Sequence, residues 1–443
     1  MESREVTQSA LVLNPALQSW PFDGAASEPM TMCEVPRADG SLARFVLPAR
    51  VVAVLQLFDG RPTEQVVAAS PALAGVPQKE VARLLNEVFV PRGLLVPPGA
   101  EAHAPGRRGD RLGYLTFRMK VLPPRVVVPI ARALGWLFAR PVMAVLIAAV
   151  VAAHLWFYLR LVHGSGMGLG GVKGSHAAAV LGVMIVSTLI HEFGHAAAAA
   201  KHGCRRLEIG WGMYYYMTIL YTDLSEAWRL PRAQRALLDV GGIYFQAVFG
   251  LVLLAAYELT GSVIPLYCFL ATDLAIAGSL NPFFRMDGYW LLSDALGVTQ
   301  LHAAGTEVLR RGALRLFGRR SSAPLPLSVP AIVIVGLYSG SGIAFFGTAF
   351  SFAIRRLVIG IAVGYPEMLR ALWATFALPF HPLAFGAALV EVLWRTLVLV
   401  GTLKFTWMFV SRLLGWLASL GRLLRRAWRE ARRGAEAPLQ QAA

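Results

Sequence analysis

Apolar and polar positions follow two regimes along the chain. As far as about residue 110 apolar residues recur at short helical or strand spacing, as in a soluble domain. Arg44 to Phe58 alternates and then turns apolar at helical spacing, Asp59-Gly60 makes a turn, and Thr63 starts a short helix to about Ser70. Pro77 opens a second amphipathic stretch, Val81, Leu84, Leu85, Val88 and Phe89, which stops at Pro91-Arg92-Gly93. Leu94-Leu95-Val96 then reads as a strand. Two or three short helices closed by a strand predict a small winged-helix-like α+β domain over residues 1–97, large enough to fold alone. Residues 98–139 read as a linker and a basic juxtamembrane segment, PPGAEAHAPGRRGDRL having linker composition.

Beyond residue 140 the apolar positions merge into long runs. Pro141 to Leu159 carries no charge and lies between Arg140 and Arg160, which is the length and flanking of a membrane span. A second span starts near Ser175 and runs to about Ala200, a third covers about 237–257 and a fourth about 259–281. The intervening residues 201–236 are basic and amphipathic, and within them Ile209 to Tyr221 reads as one or two β-strands rich in aromatics. Ser321 to Ile354 is uncharged and too long for one simple span, and Ser339-Gly340-Ser341-Gly342 is the expected break. Apolar stretches at about 357–379 and 383–411 lead into a basic amphipathic tail, Arg412 to Arg433, suited to a membrane surface. The pattern predicts a mainly α protein: a polytopic transmembrane helix bundle of six to eight spans with a short membrane-associated β segment. Its parts are a core over 140–300, an additional transmembrane region over 301–411 and a tail over 412–443.

Composition narrows the function classes. Of 443 residues, 56% are hydrophobic and 15% charged, against about 25% charged in an average soluble domain, and mean hydropathy is +0.55. That excludes a disordered chain and argues against an ordinary soluble enzyme. The net charge of +16 sits mainly between and beyond the apolar runs, so it points to anionic lipid headgroups and no nucleic acid partner is expected. The Lys/Arg bias puts the N-terminal domain, 201–236, 285–320 and the tail on the cytoplasmic side of a multi-pass inner membrane protein. Cys33, Cys204 and Cys268 form neither a disulfide framework nor a CxxC pair. The first thirty residues lack a basic segment followed by an apolar one, so no cleavable signal peptide is expected.

His191-Glu192-Phe193-Gly194-His195 is the sharpest chemical signal. On a helix, positions i and i+4 share a face, so both imidazoles can bind one Zn²⁺ while Glu192 takes a proton from metal-bound water. Ionisable residues in an apolar span are costly unless paired or metal-bound. Gly194 and Ala196 to Ala200 allow close approach, either of a neighbouring helix or of a substrate backbone. A catalytic zinc needs a third protein ligand and an open position. The candidates are Asp223, Asp273, Asp287, Asp294 and His202. Asp287 is the best of them, because Pro282 breaks the fourth span just before it and puts a carboxylate at the depth of the two histidines. Glu258 and Asp273 read as interfacial, and His154 and His176 as packed or hydrogen-bonded.

HEFGH in a membrane helix, followed some ninety residues later by Asn281-Pro282-Phe283-Phe284-Arg285-Met286-Asp287-Gly288, resembles the site-2 protease family of intramembrane zinc metalloproteases. The resemblance covers roughly residues 140–300. It implies a three-helix catalytic core in which His191, His195 and Asp287 bind zinc and Glu192 is the general base. The family's Pro five residues before the ligand Asp is Pro282. Its Asn eight residues before that Asp, which helps hold substrate, is Ser279 here, with Asn281 two positions on. Tyr221 to Arg229 and Gly242-Ile243-Tyr244-Phe245-Gln246 are similar to a bacterial branch of peptide zinc metalloproteases. The family's strands after the first catalytic helix match 209–221 and imply substrate capture by strand addition. Trp211, Tyr214, Tyr215 and Tyr216 there either lie at the membrane interface or line the substrate cleft. Arg44 to Val96 resembles the PqqD-type peptide-binding winged helix, which implies that it holds the leader of a ribosomally made peptide. Lys79 and Arg83 against Glu80 and Glu87 do not make a DNA-reading helix.

Together these readings lead to the expectation of an intramembrane zinc metalloendopeptidase of the bacterial inner membrane. It would cut a membrane-associated protein or peptide near the cytoplasmic face, in maturation or export of a peptide together with a peptide exporter. Two alternatives remain open. One is a non-proteolytic zinc-containing component of a peptide export or immunity system, and the other is regulated intramembrane proteolysis of a signalling protein.

Overall fold

The computed structural model describes residues 10–26, 28–37, 42–71, 73, 76–100, 117–163, 174–214, 217–316, 325, 327–376 and, with interruptions, parts of 382–421. The chain divides into two units, Met1–Gly212 with Ile219–Ser339, and Met213–Thr218 with Gly340–Ala443.

The first unit begins with strands. β1 (Ala10–Leu13), β2 (Gln18–Phe22), β3 (Met30–Pro36) and β4 (Leu42–Pro48) precede three short helices, α1 (Ala49–Leu55), α2 (Thr63–Ala69) and α3 (Gln78–Leu84). A π-helical turn over Leu85–Phe89 extends α3. β1 pairs antiparallel with both β5 (Asp59–Pro62) and β6 (Leu95–Val96), giving the order β5-β1-β6, while β2, β3 and β4 form a separate antiparallel meander. The three helices and the strand at Leu95 fall where the sequence pattern puts them, whereas Asp59-Gly60, expected as a turn, opens β5 and pairs with β1. The meander is additional. Leu11, Cys33, Val35, Ala43, Val52, Leu55, Val66, Val81 and Leu95 close one core across both sheets and all three helices. Burial pushes the Cys33 thiol up to about 11, and all three cysteines are free and buried.

The segment expected to be linker and juxtamembrane chain contains more structure. β7 (Phe117–Leu122) joins β8 (Ile209–Tyr214) and β9 (Met217–Thr222) in a sheet of order β7-β8-β9. α4 (Pro124–Leu134) follows β7, and its buried positions Val127, Val128 and Ala131 sit in the same core as Ala196 to Ala199. Pro124 at its first position suits a helix start, where no N–H is needed.

Long apolar helices then take over, and the protein is mainly helical. α5 (Arg140–Val162), α6 (Gly174–Lys201) and α7 (Arg232–Thr260) are followed by α8 (Val263–Ser279), α9 (Asp287–Leu296), α10 (Leu301–Leu316), α11 (Val329–Ile359) and α12 (Tyr365–Ala374). Five described helices are long and apolar enough to cross a membrane: Arg140–Val162, Ala179–Lys201, Arg232–Thr260, Val329–Arg356 and Ala384–Ser411. The fourth expected span, α8, is apolar but has 17 residues, about 25 Å of helix against a hydrocarbon core of about 30 Å. α11 runs unbroken through Ser339 to Gly342, so the expected break does not occur there. Backbone groups in an apolar setting have no water to turn to, and a helix satisfies them all whatever the side chains. In the second unit a π-helical turn over Gly360–Gly364 leads into α12, and Tyr365 Oη lies 2.6 Å from Thr396 Oγ1. The basic tail from Arg412 falls mostly outside the described residues.

Candidate metal centre

Close packing of α6 against α7 sets the site. Ala196, Ala197, Ala198 and Ala199 are fully buried. A Cβ on Gly194 would collide with the carbonyl of Gly241, and one on Gly241 would lie 2.7 Å from the Gly194 oxygen. Gly194 and the alanine run therefore serve helix packing, and no room for a substrate backbone is left at Gly194.

His191 and His195, one turn apart on α6, bring their Nε2 atoms to 3.0 Å from one another. Asp287 is the first residue of α9, released by the extended residue Met286. Its Oδ2 lies 3.0 Å from His191 Nε2 and its Oδ1 3.4 Å from His195 Nε2. A tetrahedral centre with ligand bonds of about 2.0–2.1 Å has edges of roughly 3.3 Å, so these separations suit one small divalent ion. Two imidazoles and a carboxylate are zinc-type donors.

The outer ring nitrogens fix the tautomers. His191 Nδ1 lies 2.9 Å from Gln246 Oε1 and His195 Nδ1 2.7 Å from the carbonyl of Leu238. Each Nδ1–H donates to a carbonyl oxygen, which leaves both Nε2 lone pairs directed at the shared centre. Gln246 is held in turn, its Nε2 donating to Ser187 Oγ at 3.2 Å, and Ser187 Oγ lies 3.4 Å from Thr272 Oγ1. Polar side chains from α6, α7 and α8 thus form one chain ending on a candidate ligand. Gly242 faces the pair directly, since a Cβ there would stand 2.5 Å from His195 Nε2 and 2.6 Å from His191 Nε2.

Glu192 is buried next to the histidines. Thr222 Oγ1, at the end of β9, lies 2.7 Å from Glu192 Oε2 and 3.0 Å from the Glu192 backbone oxygen. The carboxylate is thereby held by one oxygen.

Among the described residues, His191, His195 and Asp287 are the group of His, Cys, Asp and Glu side chains arranged to hold a metal ion. The other third-ligand candidates are engaged elsewhere. Asp294 pairs with Arg235 at 2.9 Å. Asp273 lies within α8, 3.1 Å from His154 Nε2 and accepting from Tyr158 Oη at 2.6 Å. Asp223 accepts from the Ser225 N–H at 2.8 Å. His202 Nδ1 lies 2.8 Å from the Ala198 carbonyl oxygen. Glu258, which was not among those candidates, pairs with Arg160 at 3.0 Å.

Of the expected substrate-side residues, Asn281, Ser279 and Tyr214 are described. Asn281 Oδ1 accepts from the Phe283 N–H at 2.9 Å and shapes the turn into α9. Ser279 closes α8. Tyr214 is buried at the end of β8, while Tyr215 and Tyr216 lie outside the described residues. Trp211 packs edge-on against Phe117 of β7, with ring centroids 5.5 Å apart. The side chain of His176 is likewise not described.

Sequence reasoning passed over Ser187 and the Leu238 carbonyl, and gave Thr222 and Gln246 no role. Gln246 carried a signal, an amide in an otherwise apolar run, and it lies in a segment already marked by resemblance.

Fold and site define a mainly helical chain with several helices of membrane-crossing length and a group of two buried histidines and one half-buried aspartate. Comparison with protein-family models, curated proteins and solved structures found no match for this chain.

Proposed function

We propose that the chain is a multi-pass zinc endopeptidase of site-2 protease type, cutting a membrane-associated protein or peptide near the cytoplasmic face of a bacterial inner membrane. The observation that carries this reading is the donor set. Three ligand atoms converge, and no fourth His, Cys, Asp or Glu among the described residues joins them, which is the open arrangement of a catalytic rather than a structural zinc. A zinc ion held there would polarise the scissile carbonyl and make water acidic enough to lose a proton near neutral pH.

The remaining work falls to the protein. Glu192 takes the proton from the water whose oxygen attacks the carbonyl carbon. It then delivers that proton to the amine as the C–N bond breaks, so no covalent enzyme species is needed. The Thr222 hydroxyl fixes one carboxylate oxygen of Glu192 and so orients the other. Gln246 and the Leu238 carbonyl hold the imidazoles in the ligating tautomer. Five helices of spanning length support residence in the membrane, and the Lys/Arg bias favours a cytoplasmic N-terminal domain. Three short helices with a small three-stranded sheet support the winged-helix reading and, with it, a domain that recruits a peptide.

The test is cleavage of an unstructured polypeptide, carboxymethylated casein, by detergent-purified protein loaded with zinc. Wild type should release fragments, chelation should stop it, and Glu192→Gln should be slower by about 10²–10⁴-fold. Equal cleavage by wild type and Glu192→Gln would overturn the assignment.

A further inference from the structure

Asp287 belongs to a helix of only ten residues, and that helix is gripped at its far end by the N-terminal domain. Asp294 lies seven residues after Asp287, two turns along the same helix face. Its Oδ1 accepts from Arg235 Nε at 2.9 Å, in a pair whose side chains are 0% and 3% exposed. The same guanidinium donates to the Leu230 carbonyl at 2.8 Å and to the Asp23 carbonyl at 2.9 Å. The ring of Phe22 lies beneath it, 4.7 Å from centroid to Cζ. Phe22 and Asp23 belong to the end of β2 and the loop behind it. One buried cation thus joins the N-terminal domain, α7 and α9.

A second contact, independent of Arg235, makes the same connection. The Ala25 N–H donates to the Gly297 carbonyl at 2.9 Å, and Gly297 ends α9 in the left-handed conformation at φ +67°. A Cβ on Gly297 would meet Ala25 N at 2.6 Å and the Gly24 carbonyl carbon at 2.7 Å. Ala25 also packs in one apolar cluster with Tyr289, two residues beyond Asp287. On the other side, Arg235 lies one turn before Leu238, whose carbonyl orients His195.

A buried ion pair is weak evidence of stability, because well-packed apolar residues serve a core as well. What the pair supplies is a fixed relation between helices. We propose that Arg235 is a positioning residue through which the loop Asp23 to Ala25 of the N-terminal domain holds Asp287 in ligating position. The domain is therefore part of the metal site's framework as well as a separate recruiting module. This rests on the metal-centre reading above.

Two variants of the full-length protein disturb the link by different routes. Arg235→Met combined with Asp294→Leu removes both charges, so neither is left buried and unpaired. Gly297→Ala drives a methyl group into the Gly24 to Ala25 backbone and leaves Arg235 and Asp294 intact. Gly261→Ala is the control, a glycine at φ +63° ending α7 with nothing within 4 Å of an added Cβ. Zinc affinity is read by competition with a chromophoric chelator, and ligand geometry by the visible absorption of the cobalt-substituted protein. Both test variants should bind zinc about 10–100-fold more weakly, the range seen when groups supporting a ligand are lost. Their cobalt spectra should change while that of Gly261→Ala stays that of wild type. Lower thermal stability with unchanged affinity and spectrum in both variants would overturn the proposal and leave the metal centre standing. Failure of the wild-type chain to bind zinc would overturn both.

Discussion

At the scale of single residues, the groups next to the two imidazoles decide whether a metal ion can be held. Gly242 leaves no space for a side chain, so Gly242→Ala should displace both Nε2 atoms and abolish zinc retention through a desalting column. Gln246→Leu should weaken zinc binding by about 10–100-fold without removing it, because His191 loses the group that sets its tautomer but keeps its own lone pair. Undiminished affinity in Gln246→Leu would mean that Nδ1 of His191 needs no partner. The candidate ligands His191 and His195, with Glu192, were legible because i, i+4 spacing is a local property of a helix, and Asp287 because a proline marks where its span must end. Thr222, Ser187 and the Leu238 carbonyl were not legible. Each acts through a contact 30 or more residues away in sequence, and nothing local distinguishes them from ordinary packing.

At the scale of elements, the approach of α6 to α7 carries the histidines to the carbonyl and amide that orient them. Gly194→Ala forces a Cβ against Gly241 and should destabilise the fold by roughly 1–3 kcal/mol, seen as a lower melting temperature in detergent. Gly182→Ala on the same helix meets nothing within 4 Å and should be neutral or stabilising by up to about 1 kcal/mol, as helix propensity predicts. Similar losses in both would remove the close crossing from the explanation. The apolar helices α5 to α7 were read to within about five residues, since long uncharged runs have few other solutions, whereas α11 starts later than expected and has no break at Ser339 to Gly342. Among the strands missed, β3 and β7 escaped for opposite reasons. Met30 to Pro36 has four consecutive buried residues, from Met32 to Val35, so alternation is absent from it. Phe117 to Leu122 does alternate, Phe-Arg-Met-Lys-Val, but its apolar face is exposed at Phe117, Met119 and Val121 and its partner strands begin some ninety residues later.

At the scale of the whole molecule, further polar contacts, part-buried or exposed, join the N-terminal domain to the segment from Trp228 to Arg232. Trp20 Nε1 donates to the Trp228 carbonyl at 3.4 Å, Arg229 reaches Glu34 at 3.3 Å, and Arg232 N–H donates to Asp23 Oδ2 at 3.1 Å. A chain truncated before residue 111 should therefore lose zinc affinity as well as any recruited substrate. Chelator competition on that truncation would separate the two roles, since a pure recruiting module leaves the affinity at the wild-type value. The sequence divided the chain near residue 97 because composition changes there. It gave no sign that residues 23–25 return to the end of α9, a contact set by tertiary packing alone.

In the proposed enzyme two histidines and one aspartate hold a single catalytic zinc, with Glu192 outside the ligand set. The most direct measurement is zinc per chain in the detergent-purified protein, wild type beside His195→Ala, Asp287→Ala and Glu192→Gln. About one zinc in wild type and in Glu192→Gln, with loss in the other two, is the predicted result. Zinc that survives Asp287→Ala at the wild-type level, or a wild-type chain that takes up none, would contradict it.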